Sequence, residues 1–504
     1  MSEPPPRSSR ANAYLWAVFG LGAVLRLIQY AVNRSFWQDE VSLAINVIER
    51  DFSQLAEPLA SNQAAPYLVL VLFKAAHALF GANDYAFRFV PLAFSLAGLA
   101  FFVPLTRRLL DPRSALAAML LLAISPTAVS FSIEYKQYTI DSFATIWILL
   151  ALAPLMLGQR TRRHFVHAAI AGAVCVWLSF PAVFVLAGTG LAVIYAQWKH
   201  WQKFALPLTL VALWIIFFAG HYALIATNAA GNDDLASFWA GHMLPPPTSL
   251  DNLATLWQKM VHIADYALPY PWSAAPLLMA YAGFAWIARK RPIPAAAIGL
   301  PFLAIMGASM LELYPLYSRL ILFLQPLVCL AAGACLGGLA NLGQRWPKLK
   351  IPGHAVAGLL VLPLAYASAQ DVIEPPEKQA TQSVARTLAE ARQPEQPILV
   401  RPLEAQQLRF YAERYGIPSD VIIRRSPNDD DPSDILSTLY PVDGQTLVWI
   451  FVLQRFGEPN IAQYNIEQRV RPTGRILGHQ HYAMCDLYLI DLTGLKPPEE
   501  PREE

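Results

Sequence analysis

The stretch AYLWAVFGLGAVLRLIQYAVNRSFWQDEVSLAINVIERDF (residues 13–52) decides the fold. Its first half, residues 13–32, is apolar and about as long as a helix must be to cross roughly 30 Å of hydrocarbon. It lacks the short apolar core and small-residue cleavage site of a signal peptide, so it reads as a retained membrane span. The second half opens with Trp37, Asp39 and Glu40, placing an adjacent carboxylate pair where the chain leaves the lipid. Ionisable groups at a membrane edge are costly and are functional candidates for that reason. Val41, Ala44, Ile45, Ile48, Phe52 and Leu55 then recur at helical spacing among polar residues, the pattern of a helix lying in the interface.

The rest of the chain keeps this character. The 504 residues are 55% hydrophobic and 15% charged, with a mean hydropathy of +0.36, which excludes an ordinary soluble enzyme and indicates a polytopic α-helical membrane protein. Further apolar segments centre on residues 86–106, 114–132, 139–157, 165–180, 182–197, 205–225, 273–288, 293–310, 319–339 and 354–370, for about eleven spans in all. The turn at Ser179–Pro181 leaves open one long kinked helix in place of two spans. Basic clusters stand at Arg7 and Arg10; Arg107, Arg108 and Arg113; Arg160, Arg162 and Arg163; Lys199 and Lys203; Arg289, Lys290 and Arg291; and Arg345, Lys348 and Lys350. With a cytoplasmic N-terminus every cluster falls in a cytoplasmic loop, as the positive-inside rule requires. The net charge of +2 says little, and no nucleic-acid partner is expected. Cys175, Cys329 and Cys335 lie in spans, so Cys485 is alone in the C-terminal region, without an internal disulfide, CxxC or zinc spacing.

This reading divides the chain into a cytoplasmic tail (1–12), a membrane domain (13–370) with large non-cytoplasmic loops at 34–85 and 226–272, and a C-terminal domain (371–504) on the same side. In the first loop PYLVLVLFKAAHALFG (66–81) is apolar but short, a half-inserted helix with Lys74 snorkelling and His77 structural. In the second, Ser249 is a natural N-cap for the amphipathic stretch LDNLATLWQKMVHIADYAL (250–268). Beyond the linker IEPPEKQ (373–379), residues 398–402, 446–453 and 486–492 read as strands. A helix is expected around EAQQLRFYAERYG (404–416), so the region is a small α/β domain.

Two further polar islands lie on the side of Asp39. SIEYKQYTIDS (132–142) packs Glu134, Lys136, Tyr138 and Asp141 into a turn between apolar helices, and LELYPLYSRL (311–320) brings Tyr317 and Arg319 to the start of a span. Arg26, inside the first span, reads as packing against a polar partner, and Arg88 as either the structural partner of an acid or a functional cation.

Trp37, Asp39 and Glu40 after the first span, Pro66 with Leu79, Phe80 and Gly81, Arg88 opening the second span, and the polar turn from Glu134 to Asp141 together resemble the GT-C glycosyltransferases. More narrowly they are similar to family 39, which includes protein O-mannosyltransferases and lipid A aminoarabinose transferases. The resemblance covers residues 13–200 and, more loosely, Arg319. It implies inverting transfer of a sugar from a polyprenyl-phosphate carrier to a hydroxyl of a lipid, glycan or protein acceptor, at the periplasmic face of a bacterial inner membrane.

The residues fit that chemistry on their own terms. A hydroxyl is a poor nucleophile near neutrality and needs a base, for which Asp39 is the first candidate beside Glu40. The leaving lipid phosphate needs cations, which Arg319, Lys136 and Arg88 supply, with Tyr317 or Tyr138 donating further bonds. Asp141 and Glu134 could orient the acceptor or hold those cations. No cofactor is required on this reading, although the carboxylates could hold Mg²⁺ or Mn²⁺. One departure stands out: where the aminoarabinose transferases carry a Lys before the Pro of the Leu-Phe-Gly segment, this chain has Ala65, preceded by Asn62 and Gln63.

Two rivals remain. A glycan polymerase or ligase would use the same kind of donor, and a secondary transporter would also need many spans. Transporters place charged sites at the bilayer midplane and repeat their halves, which this sequence does not. His479 and His481 show no acidic or cysteine partner at metal spacing.

Overall fold

Short polar residues and prolines punctuate the apolar sequence, and helices begin where they stand. Asn83 accepts the N–H of Ala86 at 2.9 Å, Asp111 that of Ser114 at 3.2 Å, Ser125 that of Ala128 at 3.4 Å and Ser249 that of Asn252 at 3.1 Å. Pro112 and Pro126 come directly after two of these caps, where a missing N–H costs nothing. The computed structural model describes residues 9–159, 161–197, 205–226, 233–345, 353–424, 439, 441, 444–454 and 461–495. The basic residues Arg7, Arg160, Lys199, Lys203, Lys348 and Lys350 lie outside them.

The chain forms two compact units, one of Met1–Val32 with Asn46–Pro375 and one of Asn33–Ile45 with Pro376–Glu504. The helices met first along the chain are α1 (Ser9–Val32), α2 (Gln38–Glu49), α3 (Tyr67–Phe80), α4 (Asp84–Leu109), α5 (Pro112–Ile124), α6 (Pro126–Phe131) and α7 (Tyr138–Met156). Next come α8 (Arg162–Leu178), α9 (Ala182–Gln197), α10 (Ala205–His221), α11 (Asp233–Ala240), α12 (Leu250–Ala267), α13 (Ala275–Lys290) and α14 (Pro292–Met310). A 3-10 turn at Ser318–Leu324 leads into α15 (Gln325–Arg345), and α16 (Gly353–Ile373) completes the first unit.

Each apolar segment is helical. Seven described segments are long and apolar enough to cross a membrane: residues 10–32, 84–109, 138–156, 207–225, 292–310, 318–341 and 353–373. The apolar helices α3, α5 and α9 are shorter. The figure of about eleven spans counts shorter helices too. Ser179 is extended, so α8 and α9 are separate helices and not one kinked one. The third expected span is likewise divided, into α5 and α6.

That division sets the interior. Leu122 O would take the N–H of residue 126, but residue 126 is proline and has none. Arg26 replaces it: Nη2 donates to Leu122 O at 3.2 Å, Nη1 to Ala123 O at 2.9 Å and Gly22 O at 2.9 Å, and Nε to Ser95 Oγ at 2.7 Å. A buried cation thus caps the C-terminal end of α5 and ties α1 and α4 to it. Gln325 donates to Ser125 Oγ at 2.9 Å and to Ala267 O at 2.7 Å, closing the end of α12 in the same way. On the opposite side of α5, Gly333 and Gly337 of α15 pack so closely that a Cβ on either would strike the backbone of Ala118 or Ser114. Small residues four apart allow such an approach between membrane helices.

The segment 66–81 forms α3, buried through Val69, Leu70, Phe73 and Ala76. Lys74 does not snorkel: its ammonium donates to Val47 O at 2.9 Å and Ile48 O at 3.2 Å, capping α2. His77 stacks on Phe87 at 5.7 Å between centroids.

The second unit is a five-stranded sheet, order β2-β1-β3-β5-β4, made of β1 (Ile398–Val400), β2 (Ile422–Arg424), β3 (Leu447–Leu453), β4 (Ile476–Tyr482) and β5 (Cys485–Asp491). β1 is parallel to β2 and β3, whereas β5 runs antiparallel to β3 and β4, with Ile450 opposite Tyr488. Leu399, Val448, Ile450, Val452, Ile466, Tyr488 and Ile490 form one core against the sheet. The helices α17 (Thr381–Ala391) and α18 (Pro402–Ala412) pack on each other, and α18 also on β1, β2 and β3. The strands β2 and β4 and the helix α17 are additions to the elements read from sequence.

Arg26→Leu should leave Leu122 O and Ala123 O unsatisfied and lower stability by about 3 kcal/mol, with Arg26→Lys recovering part of the loss. Thermal unfolding of the detergent-purified protein reads both. Equal melting temperatures for wild type and Arg26→Leu would show that the cap contributes nothing.

Candidate functional site

In the first unit the candidates gather where helices start. Because α6 is only six residues long, the chain turns at once: Ser132 N–H bonds Val129 O, Glu134 N–H bonds Phe131 O at 3.2 Å, and Lys136 N–H bonds Glu134 O at 2.7 Å. Glu134 and Lys136 are thereby buried, along with Tyr138 and Asp141 in the first turn of α7. The ring of Tyr135 anchors the turn, 4.2 Å from the ring of Phe73 and 4.9 Å from that of Phe87.

The second part of the site comes from the loop before α15. Arg319 places its guanidinium over the Tyr138 ring, 5.9 Å from the centroid. Tyr266, from the last turn of α12, joins them through Phe131, whose ring lies 6.1 Å from Tyr266 and 5.8 Å from Tyr138. Burial pushes the Tyr266 phenol up, Glu134 and Tyr138 add to this, Arg319 opposes it and Tyr317 adds a little. The phenol therefore stays a neutral donor. One acid, one guanidinium and three phenols from three distant parts of the chain thus share a field, an arrangement suited to holding an oxyanion.

The Lys136 ammonium donates to Gln63 Oε1, while Gln137 Nε2 donates to Ala64 O at 3.3 Å. Here the departure at Ala65 acquires a structural meaning. The loop that lacks a lysine before Pro66 presents Gln63 instead, and through Ser61 and Asn62 it takes a left-handed course (φ 58° and 52°) to do so. Asp141 Oδ1 is buried without a hydrogen-bond partner among the described residues, and Arg88 is fully buried near the start of α4.

Asp39 and Glu40 belong to the second unit. Trp37 is the N-cap of α2: its carbonyl accepts from Glu40 N at 2.9 Å and Val41 N at 3.1 Å, and Glu40 Oε2 accepts the Trp37 N–H at 3.3 Å. This is half of a capping box, with Glu40 at its third helical position. The segment is tied down residue by residue. Ser35 N–H bonds Glu377 Oε1 at 3.1 Å, Phe36 N–H bonds the Tyr411 hydroxyl at 2.7 Å, and Gln38 N–H bonds Gln379 Oε1 at 2.8 Å. The Lys378 ammonium lies 4.5 Å from the Trp37 ring centroid. Glu40 is buried, whereas Asp39 is partly exposed.

In the same unit His479 and His481 do have an acidic partner: Asp486, on the adjacent strand, accepts from both at 2.9 and 3.0 Å. Among the described residues no group of three or more His, Cys, Asp or Glu side chains is placed to hold a metal ion. Sequence reasoning missed Gln63 and Tyr266. Their signals were the run of polar residues before Pro66 and the amphipathic pattern of 250–268, neither of which distinguishes one residue from its neighbours.

Residues 64–223 match the family described as dolichyl-phosphate-mannose-protein mannosyltransferase, a stretch that includes Lys136 and Asp141 but not Asp39 or Arg319. No curated protein sequence matches the chain. The crystal structure of ArnT from Cupriavidus metallidurans bound to undecaprenyl phosphate is similar over 96% of this chain and 99% of its own, with a TM-score of 0.53 at 13% identity. The archaeal oligosaccharyltransferase AglB from Archaeoglobus fulgidus, in complex with an inhibitory peptide and a dolichol-phosphate, is similar over 88% of this chain and 70% of its own, with a TM-score of 0.50 at 12% identity. At such identities the likeness is one of fold. The chain is a multi-pass membrane protein that shares its fold with these two structures, and its residues 64–223 are similar to the mannosyltransferase family.

The capping geometry makes a prediction about Glu40. Glu40→Ala should cost about 1 kcal/mol of stability, while Glu40→Gln, which keeps the acceptor, should melt like wild type. Calorimetry of the three proteins checks this, and a Gln variant as unstable as the Ala variant would remove the capping role.

Proposed function

We propose that this protein is an inverting glycosyltransferase that moves a sugar from a polyprenyl-phosphate carrier to an acceptor hydroxyl at the periplasmic face of a bacterial inner membrane, with its N-terminus in the cytoplasm. The observation that carries the reading is Arg319 held over Tyr138 beside Tyr266 and Glu134, on a fold shared with enzymes solved with undecaprenyl phosphate and dolichol-phosphate. The match of residues 64–223 to a mannosyltransferase family supports the same reaction class.

Each residue then has a task. The sugar's anomeric carbon is bonded to a phosphate oxygen of the carrier, and that bond must break with its electron pair passing to the phosphate. Arg319 meets the charge as it develops, and Tyr266 and Tyr317 offer phenolic hydrogens to the same oxygens. Lys136 adds positive charge while Gln63 orients its ammonium. Glu134 holds the cations in register, and buried Asp141 and Arg88 complete the polar lining.

The acceptor oxygen attacks the anomeric carbon from the face opposite the phosphate, and its proton passes to a carboxylate. We assign that base to Asp39, the partly exposed member of the pair, Glu40 being buried. Attack opposite the leaving group inverts the anomeric configuration. The phosphate charge is met by side-chain cations in this scheme, so a divalent ion has no assigned task, and transfer should persist in EDTA.

The test is mass spectrometry of membrane lipids and glycans from cells expressing wild type, Asp39→Asn or Arg319→Ala at equal levels. The expected result is loss of one glycosyl increment with build-up of the carrier-linked sugar. Rates measured on purified protein should fall about 10²–10⁴-fold for Asp39→Asn and about 10²–10³-fold for Arg319→Ala. Indistinguishable lipid and glycan profiles for wild type and Asp39→Asn would overturn the assignment of the base. Loss of activity in EDTA restored by Mg²⁺ or Mn²⁺ would overturn the metal-free scheme.

A further inference from the structure

The backbone just before Arg319 is unusual. Ser318 has φ 35°, a left-handed conformation that a non-glycine residue adopts only when its surroundings impose it. Three contacts impose it, two from α12 and one from the chain beyond α11. Ser318 donates its N–H to Nε2 of His262 at 3.2 Å. One turn earlier on the same helix, Lys259 donates to Leu316 O at 3.3 Å. Leu316 N–H in turn bonds His242 O at 3.1 Å. The ring of Tyr317 stacks on His242, 3.9 Å between centroids and 30° between planes, and lies 6.1 Å from the His262 ring at 26°.

The bond to Ser318 has a chemical condition. An N–H donor needs an unprotonated ring nitrogen opposite it, so His262 must be neutral with its hydrogen on Nδ1. Once Nε2 carries a proton, two donors face each other and the strained turn loses one of the contacts that impose it.

We infer that His262 is a positioning residue for Arg319: its neutral imidazole latches the Ser318 turn and so fixes the guanidinium that grips the carrier phosphate, and protonation opens the latch. The inference rests on the assignment of Arg319 to that phosphate.

The surroundings of His262 favour the closed state near neutrality. Burial pushes its titration below the ordinary histidine value, Lys259 acts in the same direction, Asp265 opposes and His242 adds a little. Among the described residues Tyr266 on its own helix and Tyr317 in the facing turn have their rings beside it, and Arg319 follows Ser318 in that turn. α6 and the first turns of α13 and α15, which also belong to elements packed on α12, carry no acid or base. The neutral form is the competent one, so the latch is fully closed above the ordinary histidine range. It is lost as pH falls through the lowered value.

The test uses the full-length protein in nanodiscs, with undecaprenyl phosphate as the probe and affinity as the readout. The variants are His262→Phe, which keeps a ring without an acceptor, and His262→Gln, which keeps an acceptor that does not titrate. At about pH 7.5 His262→Phe should bind about tenfold more weakly than wild type and His262→Gln nearly as tightly, one hydrogen bond being worth roughly that factor. The carrier phosphate itself gains a proton on acidification, which weakens all variants alike. Between about pH 7.5 and pH 5, wild type should therefore lose several-fold more affinity than His262→Gln.

Parallel pH dependences for wild type and His262→Gln would overturn the latch, as would wild-type affinity in His262→Phe. Should His262→Phe fail to fold, the comparison of wild type with His262→Gln still decides. Arg319→Ala serves as the reference. If it leaves affinity unchanged at about pH 7.5, the assignment of Arg319 to the phosphate fails. If it weakens binding and His262→Phe does not, the latch alone fails.

Discussion

The membrane unit depends on one buried cation. Arg26 sits in the first span with almost no exposure, where an unpaired guanidinium would be prohibitive. It is tolerated because α5 stops at Ile124 before Ser125–Pro126 and leaves carbonyls that no backbone N–H can reach. Charge and broken helix resolve each other: the guanidinium has its acceptors, and Leu122 and Ala123 have their donor. Irregular backbone at membrane depth survives only where protein groups satisfy it, and Arg26 with Gln325 does so here.

The break also sets the course of the chain beyond it. A continuous α5 would carry the chain straight onward, whereas the six-residue α6 delivers it into the turn that buries Glu134 and Lys136 and starts α7 at Tyr138. The other face of α5 is held by Gly333 and Gly337 of α15, the helix that begins just beyond Arg319. The element whose end is capped by Arg26 therefore also carries the helix whose N-terminal approach presents the site's second cation. The strained residue, Ser318, directly precedes Arg319, the residue proposed to meet the phosphate, and strain often stands at such positions.

Much of this was legible in the sequence, for definite reasons. Spans follow from apolar length, and the helix start at Ser249 follows from a side chain that caps, whereas the break at Ser125–Pro126 was hidden inside an apolar run read as one span. The strands near 398, 447 and 486 were visible as short β-branched and aromatic runs between turns. The strand β4 was not, because GHQHY within it alternates without an apolar face and reads as a polar loop until Cys485–Asp491 pairs with it. Lys74 shows the same limit. Alone on an apolar helix it looks like a snorkelling lysine, and its true acceptors, Val47 O and Ile48 O, are carbonyls of another helix.

Residue types and their local order thus determined the membrane character, most helix boundaries and the short list of acids, cations and phenols capable of the chemistry. Tertiary structure decided which of them lie together: that Tyr266 joins Tyr138 and Arg319, that Lys136 is bonded to Gln63, and that residues 33–45 group with the C-terminal sheet. The physical reason is range. Capping, propensity and hydropathy act within a few residues of the chain and leave their mark on it. Hydrogen bonds such as His262 to Ser318, 56 residues apart, depend on how helices pack, and no local pattern records that.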